Sequence, residues 1–226
     1  MEDCLANNIQ IINSCVDLGR VEGFLNFSKT YEGVYCTIGC SPSKISEDMF
    51  EKTIEIIRKQ KKEIIGIGEV GLDYYWVKEQ EKHQQQREFF RKFVELSQEL
   101  KLPLIIHSRE SEEDLIEILK ENKQPALLHC YSGTKEQAEE AIDLGCLISI
   151  PTSIVYSHPK QELVKQLPLE SIVLESDAPY LAPTPKTRNM PQNIRLSLEK
   201  ISGIKGMEEE EVEERTSENT KKFFKL

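Results

Sequence analysis

Ile64-Ile-Gly-Ile-Gly-Glu69-Val-Gly-Leu-Asp73-Tyr74-Tyr75 reads as an apolar run of strand length that ends in a carboxylate. A glycine-containing turn with two tyrosines is expected to follow at once. Such a strand would hold Glu69 at its C-terminal end, as an oxygen ligand or a base at the rim of a parallel sheet. Two later apolar runs finish the same way, Pro103-Leu-Ile-Ile-His107 and Ala126-Leu-Leu-His129, and a further one, Ile172-Val-Leu-Glu175, ends close to Asp177.

Working outward, strands are also expected at Ile9–Asn13, Val34–Ile38 and Cys146–Ile150. The first eight residues are too short for an element of their own. Helical patterns fall between the strands. Ser46 is followed by an acidic first turn and a basic end at Lys59–Lys62, the charge order a helix dipole favours. Residues 79–100 carry Phe89, Phe90, Phe93, Leu96 and Leu100 as one apolar stripe. Further helices are expected over 112–121, 135–144, 161–167, 193–202 and 208–224. Short continuous apolar strands alternating with helices indicate a parallel sheet covered by helices. No GxGxxG or Walker sequence opens a helix, which disfavours an open nucleotide-binding sheet. Candidate residues at several strand ends favour a (β/α)8 barrel. A single α/β domain of TIM-like architecture spanning residues 1–226 is the expectation. Seven strands are found where a barrel takes eight, so a first βα unit is expected to lie before Met1.

Composition narrows the function. Charged residues make up 30% and apolar ones 38%, enough for a core without a membrane span. The six cysteines are irregularly spaced and read as free thiols of a reducing compartment, so a cytoplasmic protein is expected. A net charge of −10 argues against broad non-specific duplex binding. It leaves room for a nuclease whose metal neutralises phosphate locally.

Only four histidines occur, and two of them end apolar strands. Imidazoles with carboxylates suit a divalent metal that keeps open positions for water and substrate. Glu69, His107, His129 and Asp177 are therefore the candidate ligands, each set against a plainer role as a core histidine or helix cap. Arg109 suits a phosphate clamp, or equally a salt bridge to Glu110 or Glu112. The Lys186-Thr-Arg188-Asn189 loop offers a second basic patch or simply solvated charge. His83 is read as solvated, His158 as a loop residue, and Cys130 as packing.

Together these stretches resemble the TatD family of metal-dependent hydrolases and deoxyribonucleases. Gly68-Glu69-Val-Gly-Leu-Asp73-Tyr74 is similar to its E-[IV]-G-L-D-Y motif. The segments ending at His107-Ser-Arg109 and beginning at His129-Cys-Tyr-Ser-Gly133 look like its two histidine motifs. Glu175-Ser-Asp177-Ala-Pro-Tyr-Leu-Ala-Pro183 resembles E-[ST]-D-[AS]-P-[YF]-L-x-P, and Arg188-Asn-Met-Pro191 resembles R-N-E-P. The resemblance implies hydrolysis of ester bonds, often DNA phosphodiesters, with one or two ions of Mg, Mn or Zn. DNA, single-stranded or at its ends, is the implied substrate, with no membrane partner. Glu69 would bridge two metals, His107 and His129 would hold one, and Asp177 would serve the other metal and take the proton of the attacking water. Tyr74, Arg109 and Arg188 are the implied substrate contacts, and Glu175 is read as support behind Asp177. Three positions depart from the family. Its H-x-H strand is absent, Ser41 stands where G-x-H-P has histidine, and Met190 replaces an acid. A start downstream of the family's first strand is the expectation. A single-metal or non-catalytic relative, or a small-molecule amide or ester hydrolase, is the alternative.

Overall fold

The computed structural model describes residues 2–226. A short helix α1 (Glu2–Ala6) precedes β1 (Ile11–Cys15), after which helices and strands alternate: α2 (Val21–Thr30), β2 (Val34–Ile38), α3 (Glu47–Gln60), β3 (Gly66–Asp73), α4 (Gln80–Leu100), β4 (Leu104–Arg109), α5 (Glu112–Asn122) and β5 (Ala126–His129). The chain continues through α6 (Lys135–Asp143), β6 (Leu147–Ile150), α7 (His158–Gln166), β7 (Ile172–Leu174), α8 (Ile194–Lys205) and α9 (Glu209–Phe224). Seven strands among the described residues match the number counted in the sequence. No helix among them is long and apolar enough to cross a membrane. The six cysteines carry free thiols.

Contacts divide the chain into two compact units, Gln10–Leu128 and the residues up to Ile9 together with His129–Leu226. In Gln10–Leu128, strands β1 to β4 pair in parallel. Ile67, Val70 and Leu72 of β3 and Leu104 and Ile106 of β4 are wholly buried, as their continuous apolar runs require. The stripe of α4 supplies Phe89, Phe90, Phe93 and Leu96 to the same core. Phe50 of α3 stacks on Phe89 with ring centroids 4.5 Å apart and meets Phe93 edge-on at 5.2 Å. Helix α3 begins where its charge order places it, with the Ser46 hydroxyl accepting from the Met49 amide.

In the other unit, β6 and β7 pair in parallel through Ile148↔Ile172 to Ile150↔Leu174. Thr134 and Gln137 form a reciprocal capping box that starts α6. Asn219 of α9 donates to the carbonyls of Leu169 (2.9 Å) and Ile172 (2.8 Å), which fastens that helix to the entry of β7.

Several expectations change. Strand β4 does not finish on His107 but runs two residues further, to Arg109. The first eight residues do hold an element, α1. Strand β1 starts two residues late, because the Ile9 amide turns back to the Cys4 carbonyl at 2.9 Å. Most consequential is β3, which does not end at Glu69 but runs four residues further, to Asp73. The pairing with β4 breaks register between Ile67 and Val70 and then resumes through Gly71↔His107 to Asp73↔Arg109. Gly71 makes this possible. Its φ is +144°, and a Cβ there would lie 2.1 Å from the His107 carbonyl oxygen, so only glycine lets the two backbones approach.

Gly71→Ala should therefore destabilise the protein by about 3 kcal/mol or more. In thermal unfolding followed by circular dichroism that is a fall in Tm of about 6–12 °C. Gly203→Ala, in α8 with nothing within 4 Å of the added methyl, is the control. It should stabilise by roughly 0.5–1 kcal/mol. Equal behaviour of the two variants would contradict the close approach.

Candidate metal centre

The extension of β3 brings Asp73 onto His107. Asp73 is 2% exposed, and its Oδ2 lies 3.0 Å from His107 Nε2. Its other oxygen, Oδ1, accepts the Trp76 amide at 2.8 Å. The backbone of Asp73 is held by Gln86, a buried polar residue within the apolar stripe of α4. The Asp73 amide donates to Gln86 Oε1 at 2.9 Å, and Gln86 Nε2 donates to the Pro42 carbonyl at 3.1 Å. Burial alone would raise the Asp73 carboxyl, but the bonds from His107 and the Trp76 amide, with the charge of Arg109, hold it below its ordinary value. An ionised Asp73 that accepts from Nε2–H leaves the Nδ1 lone pair of His107 for a metal. Glu69 sits back along β3 at the break in register, half-buried.

The other unit builds a similar pair. His129, last residue of β5, has its Nδ1 at 2.8 Å from Glu175 Oε2, which also accepts the Ser149 hydroxyl at 2.5 Å. His129 Nε2 then faces Asp177 Oδ1 at 3.7 Å. Burial would raise the Glu175 carboxyl, yet His129, Ser149 and the Cys130 amide bring it below the usual 4.5. Glu175, read from the sequence as support behind Asp177, holds His129 and Ser149.

Asp177 itself adopts a left-handed backbone (φ +54°), which aspartate tolerates better than most residues. Its carbonyl accepts the Tyr180 amide at 2.7 Å. Asn189, 1% exposed, fixes this loop from across the fold of the same unit. Its Nδ2 donates to the Ser176 carbonyl (2.6 Å) and to Thr152 Oγ1 (2.8 Å), and its backbone amide donates to the Pro179 carbonyl.

Other expected site residues fall differently. Tyr74 turns its hydroxyl to Asp114 (2.6 Å) and receives a bond from Arg87 (3.1 Å), with its own pKa pushed up to about 12 by burial and by Asp114. Its ring stacks on His83 at 3.8 Å, and His83 Nε2 bonds the Val77 carbonyl at 2.6 Å, so His83 is a loop anchor and not a solvated side chain. Arg109 lies over the Tyr75 ring at 3.9 Å, while Glu110 pairs with Lys78. Arg188 is exposed, and His158 is the exposed first residue of α7 rather than part of a loop. Cys130 is half-buried in a turn with φ +47°. Asp73 was visible only as part of a motif, and nothing in the sequence marked Gln86 or Ser149, since polar residues inside apolar patterns carry no spacing signal.

The family model for TatD related DNase matches residues 2–225. The chain belongs to that family. By that membership it is a TatD-type metal-dependent hydrolase. An uncharacterized metal-dependent hydrolase of Methanocaldococcus jannaschii is 38% identical over 227 residues, spanning 100% of this chain and 89% of the relative. The Homo sapiens protein named deoxyribonuclease TATDN3 is 36% identical over 232 residues, 97% of this chain and 85% of its own. Among solved structures, a TatD family hydrolase from Entamoeba histolytica superposes with a TM-score of 0.86 at 22% identity, over 98% of this chain and 87% of that one. A TatD homologue from Escherichia coli K12 gives 0.85 at 23% identity, over 96% and 86%. These likenesses show an α/β TatD-like fold.

The donor chemistry suits the divalent ion that such a family implies. Each unit presents an imidazole whose second nitrogen is held by a carboxylate, buried in Asp73 and half-buried in Glu175, the arrangement that orients metal-ligating histidines. Among the described residues no three His, Cys, Asp or Glu side chains gather closely enough to hold an ion by themselves.

Glu175→Gln should weaken divalent-metal affinity about 10- to 100-fold, read by competition with a chromogenic chelator. Because its folded carboxyl lies below the unfolded value, Glu175 contributes stability above about pH 4.5 that is lost as pH falls through its folded pKa. The variant should show a shallower acid limb than the parent in urea unfolding. An unchanged limb would refute the ionised assignment.

Proposed function

We propose that the chain is a deoxyribonuclease that cleaves DNA phosphodiesters, with single strands or strand ends as substrate. The observation that carries the reading is the twice-built carboxylate–histidine pair, Asp73–His107 and Glu175–His129. It is supported by the name of the human relative. The residues proposed to hold divalent metal are Glu69 and His107 in one unit and His129 and Asp177 in the other. Such an ion, when bound, supplies Lewis-acid polarisation of a phosphoryl oxygen and acidifies water.

The protein's own part is positional and protolytic. Asp73 keeps the His107 proton on Nε2, and Glu175 keeps the His129 proton on Nδ1, so both rings present a lone pair. Asp177, on a loop clamped by Asn189, accepts the proton of the attacking water. Arg109 and Arg188 are the cations proposed to meet phosphate. Tyr74 contributes through its bonds to Asp114 and Arg87, which hold the loop after β3.

The full chain, loaded in turn with Mn, Mg and Zn, should degrade end-labelled single-stranded DNA and stop on chelation. Asp177→Asn should lower kcat by about 10²- to 10⁴-fold while the fold survives. No cleavage with any of these metals would overturn the reading, and so would an Asp177→Asn variant of full activity.

A further inference from the structure

The turn after β3 holds an arrangement that the metal ligands do not use. Trp76 is 66% exposed and Tyr75 39%. Large aromatic side chains left in water singly need no explanation, but clustered ones do. Here they are clustered and ordered. The two rings meet edge-on at 4.9 Å, and the Arg109 guanidinium lies over Tyr75 at 3.9 Å and 5.5 Å from the Trp76 ring centre. Lys78 Nζ is 5.2 Å from the Tyr75 ring centre and shares its charge with Glu110.

The turn beneath them is fixed at three points, two on its backbone and one through a side chain. The Trp76 amide is bonded to the buried Asp73 carboxylate, the Val77 carbonyl to His83, and the Tyr74 hydroxyl to Asp114. Val77, next along, is 7% exposed. The turn thus buries its own anchors and still projects two aromatic rings outward. A ring held in water on a rigid turn has lost most of the freedom that binding would otherwise remove.

Placement identifies the ligand chemistry. Asp73 pairs with Arg109 across β3 and β4, and the same Asp73 carboxylate holds both the Trp76 amide and His107. The aromatic pair is therefore one turn from a proposed metal ligand, with a planar cation beside it. Flat π-faces next to a guanidinium are what unpaired bases and their phosphates bind. The aromatic pair is also too small for a stable protein partner, which needs roughly 600–1,000 Å² per side, against at most about 500 Å² for two aromatic side chains.

We propose that Trp76, with Tyr75 and Arg109, is a stacking platform for an unpaired nucleobase, and that it seats a single strand beside His107. This rests on the reading of the chain as a deoxyribonuclease, and deepens it. Double-stranded DNA hides its base faces, so the platform selects frayed ends and single strands.

Trp76 is the one tryptophan in the chain, so its fluorescence reports on the platform alone. The full chain is titrated with a phosphorothioate oligothymidylate of about eight nucleotides. Saturable quenching of Trp76 is expected. An abasic strand of equal length should bind about 5- to 150-fold more weakly, the loss expected for removing a base stack. Trp76→Ala should weaken binding of a labelled strand to a similar extent, measured by anisotropy, and Trp76→Phe should restore most of it. The abasic comparison needs no variant, so it decides the matter even if Trp76→Ala fails to fold. Equal binding of abasic and thymidylate strands overturns the platform. Cleavage of single strands with no response from Trp76 also overturns it and leaves the nuclease reading standing. Quenching with abasic discrimination but no cleavage under any metal leaves the platform standing and removes the nuclease. Quenching that follows protein concentration alone, with a doubled mass in light scattering, assigns the face to a second copy and overturns the proposal.

Discussion

A single buried carboxylate, Asp73, sets the geometry of one half of the candidate chemistry. One oxygen takes the imidazole of His107 and the other takes the backbone of Trp76. A carboxylate with so little exposure would cost several kcal/mol if left without partners. It is stable because every direction of its charge is met, and those same bonds fix the tautomer of the histidine and the path of the turn. Gln86 belongs to this arrangement, since it holds the backbone of Asp73 from a helix otherwise devoted to hydrophobic packing.

The second unit reaches the same result from different parts. Glu175 and Ser149 hold His129 through Nδ1, where Asp73 holds His107 through Nε2. Opposite ring nitrogens are used, so the lone pairs offered to a metal are opposite too. Asp177 is then placed by the backbone rather than by packing, in a left-handed conformation closed by the Tyr180 amide and secured through Asn189. In Gln10–Leu128 the histidine is more exposed than its support, with side chains 26% and 3% exposed for His107 and Asp73, whereas His129 and Glu175 are equally half-buried at 14%.

Much of the fold was legible because it depends on periodicity. Val34–Ile38 and Ala126–His129 are strands with the very bounds read from their apolar runs, and the Phe89–Leu96 stripe is buried as its spacing requires. The end of β3 was not legible. Gly71 reads as part of a turn in one dimension, whereas in three it permits two strands to pass at close range. From their places at or near the ends of apolar runs, Glu69, His107, His129 and Asp177 could be singled out. Of their supports, Glu175 could be placed behind Asp177, whereas the role of Asp73 could not be read, because a hydrogen bond between residues 34 positions apart leaves no mark in local sequence. The reversal of His83, from a polar helix face to a stacked anchor, comes from nearby partners, the Tyr74 ring and the Val77 carbonyl, that helical periodicity does not reveal.

The clamp formed by Asn189 has a consequence for variation. Residues 184–188 are all exposed, and the loop that carries Asp177 takes its side-chain support from Asn189 and Thr152 rather than from them. Length and composition at 184–187 can therefore drift while Asp177 stays in place. This leaves a site of evolutionary latitude beside a fixed carboxylate, where new loop contacts can be tried without rebuilding its support.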